Sequence, residues 1–73
     1  MIELKDQAFK TRLKEELENS KLTVKQLAEK IGVSPEMVTQ YYTTKKLPKL
    51  DTFVRICKAL NVSADYLLGL SDI

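Results

Sequence analysis

The chain has 73 residues, 44% hydrophobic and 30% charged, with 2 Gly, 2 Pro, 1 Cys and no His. That length fits one domain near the lower size limit for a fold without staples. A lone cysteine makes no internal disulfide, and the lack of His rules out a Cys/His metal site, so neither a metal nor a cofactor is expected. The N-terminus MIELKDQAFK lacks the apolar run of a signal peptide, and no apolar stretch approaches the roughly 20 residues that span a bilayer, so a soluble, cytoplasmic chain is expected.

Phe9, Leu13 and Leu17 recur at four-residue spacing and predict an amphipathic first helix over about 7–19, ended by Asn19 and Ser20. Thr23 then reads as the N-cap of a second helix, and Gln26 three residues later completes a capping box. Leu27, Ala28 and Ile31 share a face of that helix. Gly32 turns the chain with a positive φ, which a Cβ penalises. Ser34 caps a third helix with Pro35 at its first position, where a missing N–H costs nothing. Glu36 follows in the first turn, where negative charge suits the helix dipole. Val33, Val38 and Tyr41 return apolar groups to the core, and the small Ala28 allows the two helices to cross steeply. Met37 reads two ways, as packing at the helix edge or as an outer apolar contact. The build is that of a helix-turn-helix, whose second helix can enter a DNA major groove.

A fourth helix spans about Leu50 to Leu60, with Phe53, Ile56, Cys57 and Leu60 on one stripe and Asn61 as its stop. Ser63 opens a short fifth helix, Ala64 to Leu68, closed by Gly69. Cys57 reads as buried core rather than reactive thiol. The ends, about 1–6 and 71–73, are expected to be loose. The pattern predicts an all-α, compact five-helix domain over 1–73, with its core at about 7–70.

The net charge of +2 is unevenly spread. Residues 1–36 carry seven Lys/Arg and seven Asp/Glu, whereas 37–58 carry Lys45, Lys46, Lys49, Arg55 and Lys58 against Asp51 alone. Residues 59–73 carry only Asp65 and Asp72. The basic segment starts on the third helix and runs through the loop after it, where a phosphate-facing surface belongs. A solvated lysine loop is the plainer account of the same residues.

Two blocks, LTVKQLAEKIGVSPEMVTQ and KKLPKLDTFVRICKALNVSADYLLG, resemble in their order and separation the phage lambda and 434 repressor/Cro-like family, the XRE type of helix-turn-helix protein. The resemblance covers about residues 9–69. It implies a lambda-repressor-like DNA-binding domain with the helix-turn-helix at helices 2 and 3. It also implies sequence-specific binding of double-stranded DNA by a bacterial or phage transcriptional regulator, commonly a repressor. Family members often end the third helix with Trp or Leu, Glu, Asn or Arg, and Gly; here the run is Tyr41-Tyr42-Thr43-Thr44. A β-branched Thr44 suits positive φ poorly, so the third helix is expected to end by another geometry or to run further. Lys49 stands where a Ser or Thr often caps the fourth helix.

With the third helix in the major groove, the family's base-reading positions fall on Pro35, Glu36, Thr39 and Gln40. The Gln40 amide can bond an adenine edge in two places, Glu36 can accept from a cytosine amino group, and the Thr39 methyl can touch a thymine methyl. Glu36 reads equally as a dipole-favouring acid, and Gln40 as solvated helix surface. Phosphate contacts are expected from Thr23, the amides of Val24 and Lys25, the Lys25 side chain, Ser34, Tyr42, Thr43, and the loop lysines Lys45, Lys46 and Lys49. For Tyr42 a partly buried aromatic is the competing reading.

One such domain touches few bases, so a homodimer on a palindromic operator is expected. Tyr66, Leu68, Leu70 and Ile73 give apolar surface for a C-terminal dimer patch, the end where the family often makes dimer contacts; Leu67 there is explained equally by core packing. The rival function is protein interaction on the same fold, as in antitoxins or antirepressors. No nucleophile–base pair is evident, so an enzyme is not expected.

Overall fold

The computed structural model describes residues 6–73. Its helices are α1 (Asp6–Asn19), α2 (Val24–Ile31), α3 (Pro35–Thr43), α4 (Leu50–Leu60) and α5 (Ala64–Leu67), and no strand occurs among the described residues. The expectation for the N-terminal end falls outside these residues, apart from Asp6, which opens α1.

The four-residue spacing in α1 places Phe9, Leu13 and Leu17 on one buried face. They join Leu27, Ala28 and Ile31 of α2, Val38 and Tyr41 of α3, Phe53, Ile56 and Leu60 of α4, and Leu67 of α5 in a single cluster. Leu13, Leu27, Val38, Ile56 and Leu67 are wholly inaccessible. The Phe9 and Phe53 rings meet with centroids 5.9 Å apart and planes tilted by 56°, a favourable offset contact between α1 and α4. Helix α2 packs on α3 and α4, α1 on α3 and α5, and α4 on α5. Cys57 is half-buried at the edge of this cluster, and burial pushes its thiol pKa up, which suits a packing residue better than a nucleophile.

The caps hold α2 and α3 in register. Gln26 N–H donates to Thr23 Oγ1 (3.0 Å) while Thr23 N–H donates to Gln26 Oε1 (2.9 Å), a complete capping box. Gly32 takes φ +77°, and its N–H donates to the Ala28 carbonyl. A Cβ there would stand 3.7 Å from Arg55 Nη1, an ordinary contact, so the demand for glycine comes from the backbone angle and not from crowding.

Of the two alternatives for the end of α3, another geometry or a longer helix, the structure takes the first. Thr44 is extended (φ −129°), its N–H donates to the Gln40 carbonyl, and its hydroxyl donates to the same oxygen at 2.7 Å. Lys46 N–H then donates back to Thr44 Oγ1 (3.1 Å), closing the turn with side-chain bonds. Lys49, the N-cap of α4, makes no side-chain cap bond, as its ammonium offers no acceptor. Asp51 Oδ1 instead accepts from Thr52 N–H at 2.8 Å.

One feature carried no sequence expectation and two depart from theirs. The α1–α2 turn uses Lys21 at φ 67°, a left-handed residue that carries a Cβ. Helix α5 ends at Leu67, with Leu68 as its C-cap. The C-terminal residues are tied down, not loose: Ser63 Oγ donates to the Ile73 carbonyl (3.1 Å), and Arg12 Nη1 donates to the Ser71 carbonyl (2.7 Å) and to the Tyr66 carbonyl.

Two of the left-handed residues, Lys21 and Gly32, bracket α2 and predict opposite effects. Lys21→Gly should raise stability by about 1 kcal/mol by removing the Cβ penalty, and Gly32→Ala should lower it by about the same amount. Urea unfolding of the two variants beside the parent chain measures both, and equal signs would contradict the backbone argument.

Candidate nucleic-acid interface

Helix α3 buries Val38 and Tyr41, and this fixes which of its residues face outward. Pro35, Glu36 and Gln40 are exposed, while Thr39 is half-buried. Glu36 and Gln40 lie one helical turn apart and so are neighbours on the helix surface. Neither side chain makes a hydrogen bond or ion pair among the described residues. Met37 is half-buried and packed against the core, which selects the edge-packing reading and removes it from the outer face.

The hydroxyls divide by where their single hydrogen goes. Thr23 Oγ1 and Ser34 Oγ accept from the N–H groups of Gln26 and Met37, so each keeps its hydrogen for an outside acceptor. The Thr43 hydroxyl donates to the Thr39 carbonyl at 2.8 Å, so in this conformation it has no hydrogen left for a phosphate oxygen. At the start of α2 the capping box uses the Gln26 amide, which leaves the Val24 and Lys25 amides without intrahelical acceptors. Both therefore point positive dipole outward from a helix N-terminus.

Tyr42 is half-buried and lines an open cleft of about 300 Å³ with Val24, Lys14 and Lys21. The fold thus brings together two residues expected at phosphates, Val24 and Tyr42, and adds two lysines that the sequence reading did not select. Glu18 shares the same cleft and offsets part of their charge.

Lys45, Lys46 and Lys49 are exposed on the α3–α4 loop. The loop is anchored from below by a residue absent from the sequence reading. Lys10 Nζ, on α1, donates to the Tyr41 carbonyl (3.0 Å) and to the Lys46 carbonyl (3.2 Å). Its position in α1 gives no hint of this, because the bonds span 31 and 36 residues and exist only once α1 is packed on α3. Arg55, counted earlier only as charge, lies beside Gly32 at the α2–α3 turn.

At the C-terminal end the four residues expected in a dimer patch separate into two environments. Leu68, Leu70 and Ile73 are exposed. Tyr66 is half-buried, with the Arg12 guanidinium 4.4 Å from its ring centre, so much of its face is already covered. Asp72, fully exposed, lies 3.9 Å from the partly buried Arg12, a long contact of little energetic weight.

An outward helix positioned by a capped turn and followed by a basic loop defines a helix-turn-helix domain. Residues 13–67 match the helix-turn-helix family model, and the chain belongs to that family, of the repressor/Cro-like (XRE) type. It is 43% identical over 61 residues to YobD, an uncharacterized HTH-type transcriptional regulator of Bacillus subtilis (strain 168), covering 84% of this chain and 54% of YobD. It is 34% identical over 62 residues to the HTH-type transcriptional regulator ImmR of the same organism, covering 85% of this chain and 49% of ImmR. The chain spans about half the length of the curated relatives it matches. Among solved structures, the clp gene regulator ClgR from Corynebacterium glutamicum superposes with a TM-score of 0.81 at 24% identity, over 93% of this chain and 72% of that one. The SOS-response transcriptional repressor LexA from Eubacterium rectale superposes with a TM-score of 0.79 at 23% identity, over 93% and 73% of the two chains. These likenesses establish the five-helix fold.

The Lys10 anchor makes a local prediction. Lys10→Met should release the loop and speed amide exchange at Lys46 and its neighbours roughly fivefold, the effect of losing about 1 kcal/mol of charge-assisted bonding. Hydrogen exchange read residue by residue checks this, and unchanged protection of the loop would show that the anchor does not order it.

Proposed function

We propose that the chain is a sequence-specific DNA-binding domain of a transcriptional regulator, acting as a repressor by occupying its operator. Residues 1–73 act as one domain in the cytoplasm, without metal, cofactor or enzymatic activity. The observation that carries this reading is the unengaged outer face of α3. Glu36 and Gln40 spend no side-chain hydrogen bonds within the described fold, and the helix that carries them runs directly into the anchored lysine loop.

In the proposed complex α3 lies in the major groove, with Pro35, Glu36, Thr39 and Gln40 over base edges and Gln40 reading adenine. Thr23, Val24, Lys25, Ser34 and Tyr42 face one stretch of sugar-phosphate, and Lys45, Lys46 and Lys49 the other; Thr43 joins them only if its hydroxyl leaves the Thr39 carbonyl. These contacts set position and orientation and carry no sequence information. Two copies bind a palindrome about one helical turn apart. That two curated relatives are named transcriptional regulators supports the reading. The unpaired Glu36 carboxylate, which phosphate repels, is what favours the rival in which this face holds a partner protein.

Selection of bound sequences from random duplexes should enrich a palindromic motif, with a log–log salt slope near −5 if about six phosphates are neutralised. No enrichment even at about 50 mM salt would reject the DNA reading.

Two substitutions separate base reading from phosphate contact. Gln40→Ala should weaken the selected site more than random duplex, by about 1–3 kcal/mol. Lys46→Ala keeps the carbonyl that Lys10 holds, and it should weaken all duplexes alike while flattening the salt slope by about one unit. Binding titrations on both duplexes decide, and equal losses for Gln40→Ala would remove it as a base reader.

A further inference from the structure

Helix α4 turns an apolar rim toward solvent. Its core side carries Thr52, Phe53, Ile56 and Leu60, yet Leu50 is 79% exposed and Val54 44%, with Leu47 just before the helix at 50%. Asp51, Arg55 and Lys58 are exposed on the same outer side. At about 100° per residue, Leu50 and Val54 form one rim of this face and Asp51 and Arg55 the other, with Lys58 between them. No residue of the stripe belongs to α3.

We propose that this face packs against a second copy of the chain, with the two α4 helices antiparallel about a two-fold axis. That operation keeps each rim on its own side and reverses its direction. Leu50 then meets Val54 of the partner subunit, and Asp51 meets Arg55 of the partner subunit, each pairing occurring twice. A parallel two-fold would instead carry each rim across to the other side and set Leu50 and Val54 against the charged rim of the second copy. Charge complementarity therefore selects both the occupant and its orientation. Arg55 starts from beside Gly32 and has an exposed side chain, so it is free to swing to the partner.

The C-terminal surface lacks this self-complementarity. Leu68, Leu70 and Ile73 are accompanied by Asp65 and Asp72, the only charged residues after Lys58. Arg12 lies among them but is already engaged by the Tyr66 ring, the Tyr66 and Ser71 carbonyls and Asp72, so two copies meeting there find no pairing as direct as Asp51 with Arg55. The α4 pairing deepens the reading of two copies on a palindrome, but self-association is measured without DNA. One helix pair lies at the small end of protein interfaces, so the free dimer is weak, with a dissociation constant of roughly 100 µM.

Sedimentation equilibrium of the 73-residue chain without DNA, from about 10 µM to 1 mM, tests the proposal. Asp51→Arg and Arg55→Asp should each raise the dissociation constant about tenfold, and the double variant should bring it back to within about threefold of the parent. Val54→Lys should leave a folded monomer, checked by cooperative thermal unfolding, and Leu70→Asp should leave the dimer intact. A strict monomer at the highest concentration, a double variant that is not restored, or a dimer lost through Leu70→Asp would each overturn it. Titration of Val54→Lys on a single half-site keeps the two readings apart, because retained half-site binding leaves the DNA reading standing whatever the dimer result.

Discussion

The crossing of α2 and α3 about the Gly32 turn is the constraint on which the other arrangements depend. Gly32 supplies the left-handed angle, Ala28 the close approach, and the two caps at Thr23 and Ser34 fix where each helix begins. With both starts fixed and Val38 and Tyr41 buried, the rotation of α3 about its axis has no freedom left. The polar residues face outward because the apolar ones do not, and the start of α2 shares a cleft with Tyr42 near the end of α3. A slip of one residue in α3 would bury Thr39 or Gln40 in place of Val38 or Tyr41, and a buried amide without partners costs more than a packed side chain returns.

Around this pair, α1 acts as a brace with a different cation working toward each end of the chain. Lys10 reaches the end of α3 and the loop after it, and Arg12 reaches α5 and the C-terminal residues. Both use the same chemistry, a cationic donor on main-chain carbonyls near helix ends and in the segments that follow them. Such bonds place no demand on the identity of the residue accepting them. This explains how a loop of Thr-Thr-Lys-Lys, lacking the family's usual glycine, still has a fixed course. Thr44 closes the turn from within and Lys10 holds it from below.

Much of this was legible in the sequence because it depends on local rules. The caps at Thr23, Ser34 and Ser63, the stop at Asn61 and the buried stripes each follow from a few adjacent residues, and the helix bounds agree to within a residue or so. The altered ending of α3 was legible as well, since a β-branched residue cannot occupy the glycine conformation. What escaped notice was non-local or concealed by residue type. Lys10 and Arg12 look like any exposed cations on an amphipathic helix until α1 is docked. Lys21 in a left-handed turn runs against the residue preference for that conformation, and the tethered C-terminus depends on bonds from α1. The outer face of α3 could be named from the sequence because burial of Val38 and Tyr41 defines its complement; what those residues touch depends on a partner outside the chain.

The distribution of charge bears on how such a domain gains selectivity. A net charge of +2 gives little long-range attraction to a polyanion, and the basic loop is offset at the other end by Asp65 and Asp72. The few proposed phosphate contacts would weaken steeply with salt, leaving one copy with a poor hold on random duplex under physiological conditions. Weak background binding favours discrimination, because the competing sites are numerous. In the proposed complex, affinity for a correct site comes from a second copy held at high local concentration, which multiplies occupancy only where both half-sites fit. A weak, charge-matched surface away from α3 serves this better than a strong apolar one. It adds little to the free chain, yet it becomes effectively intramolecular once two copies share a duplex, so the duplex sequence decides when the pair forms.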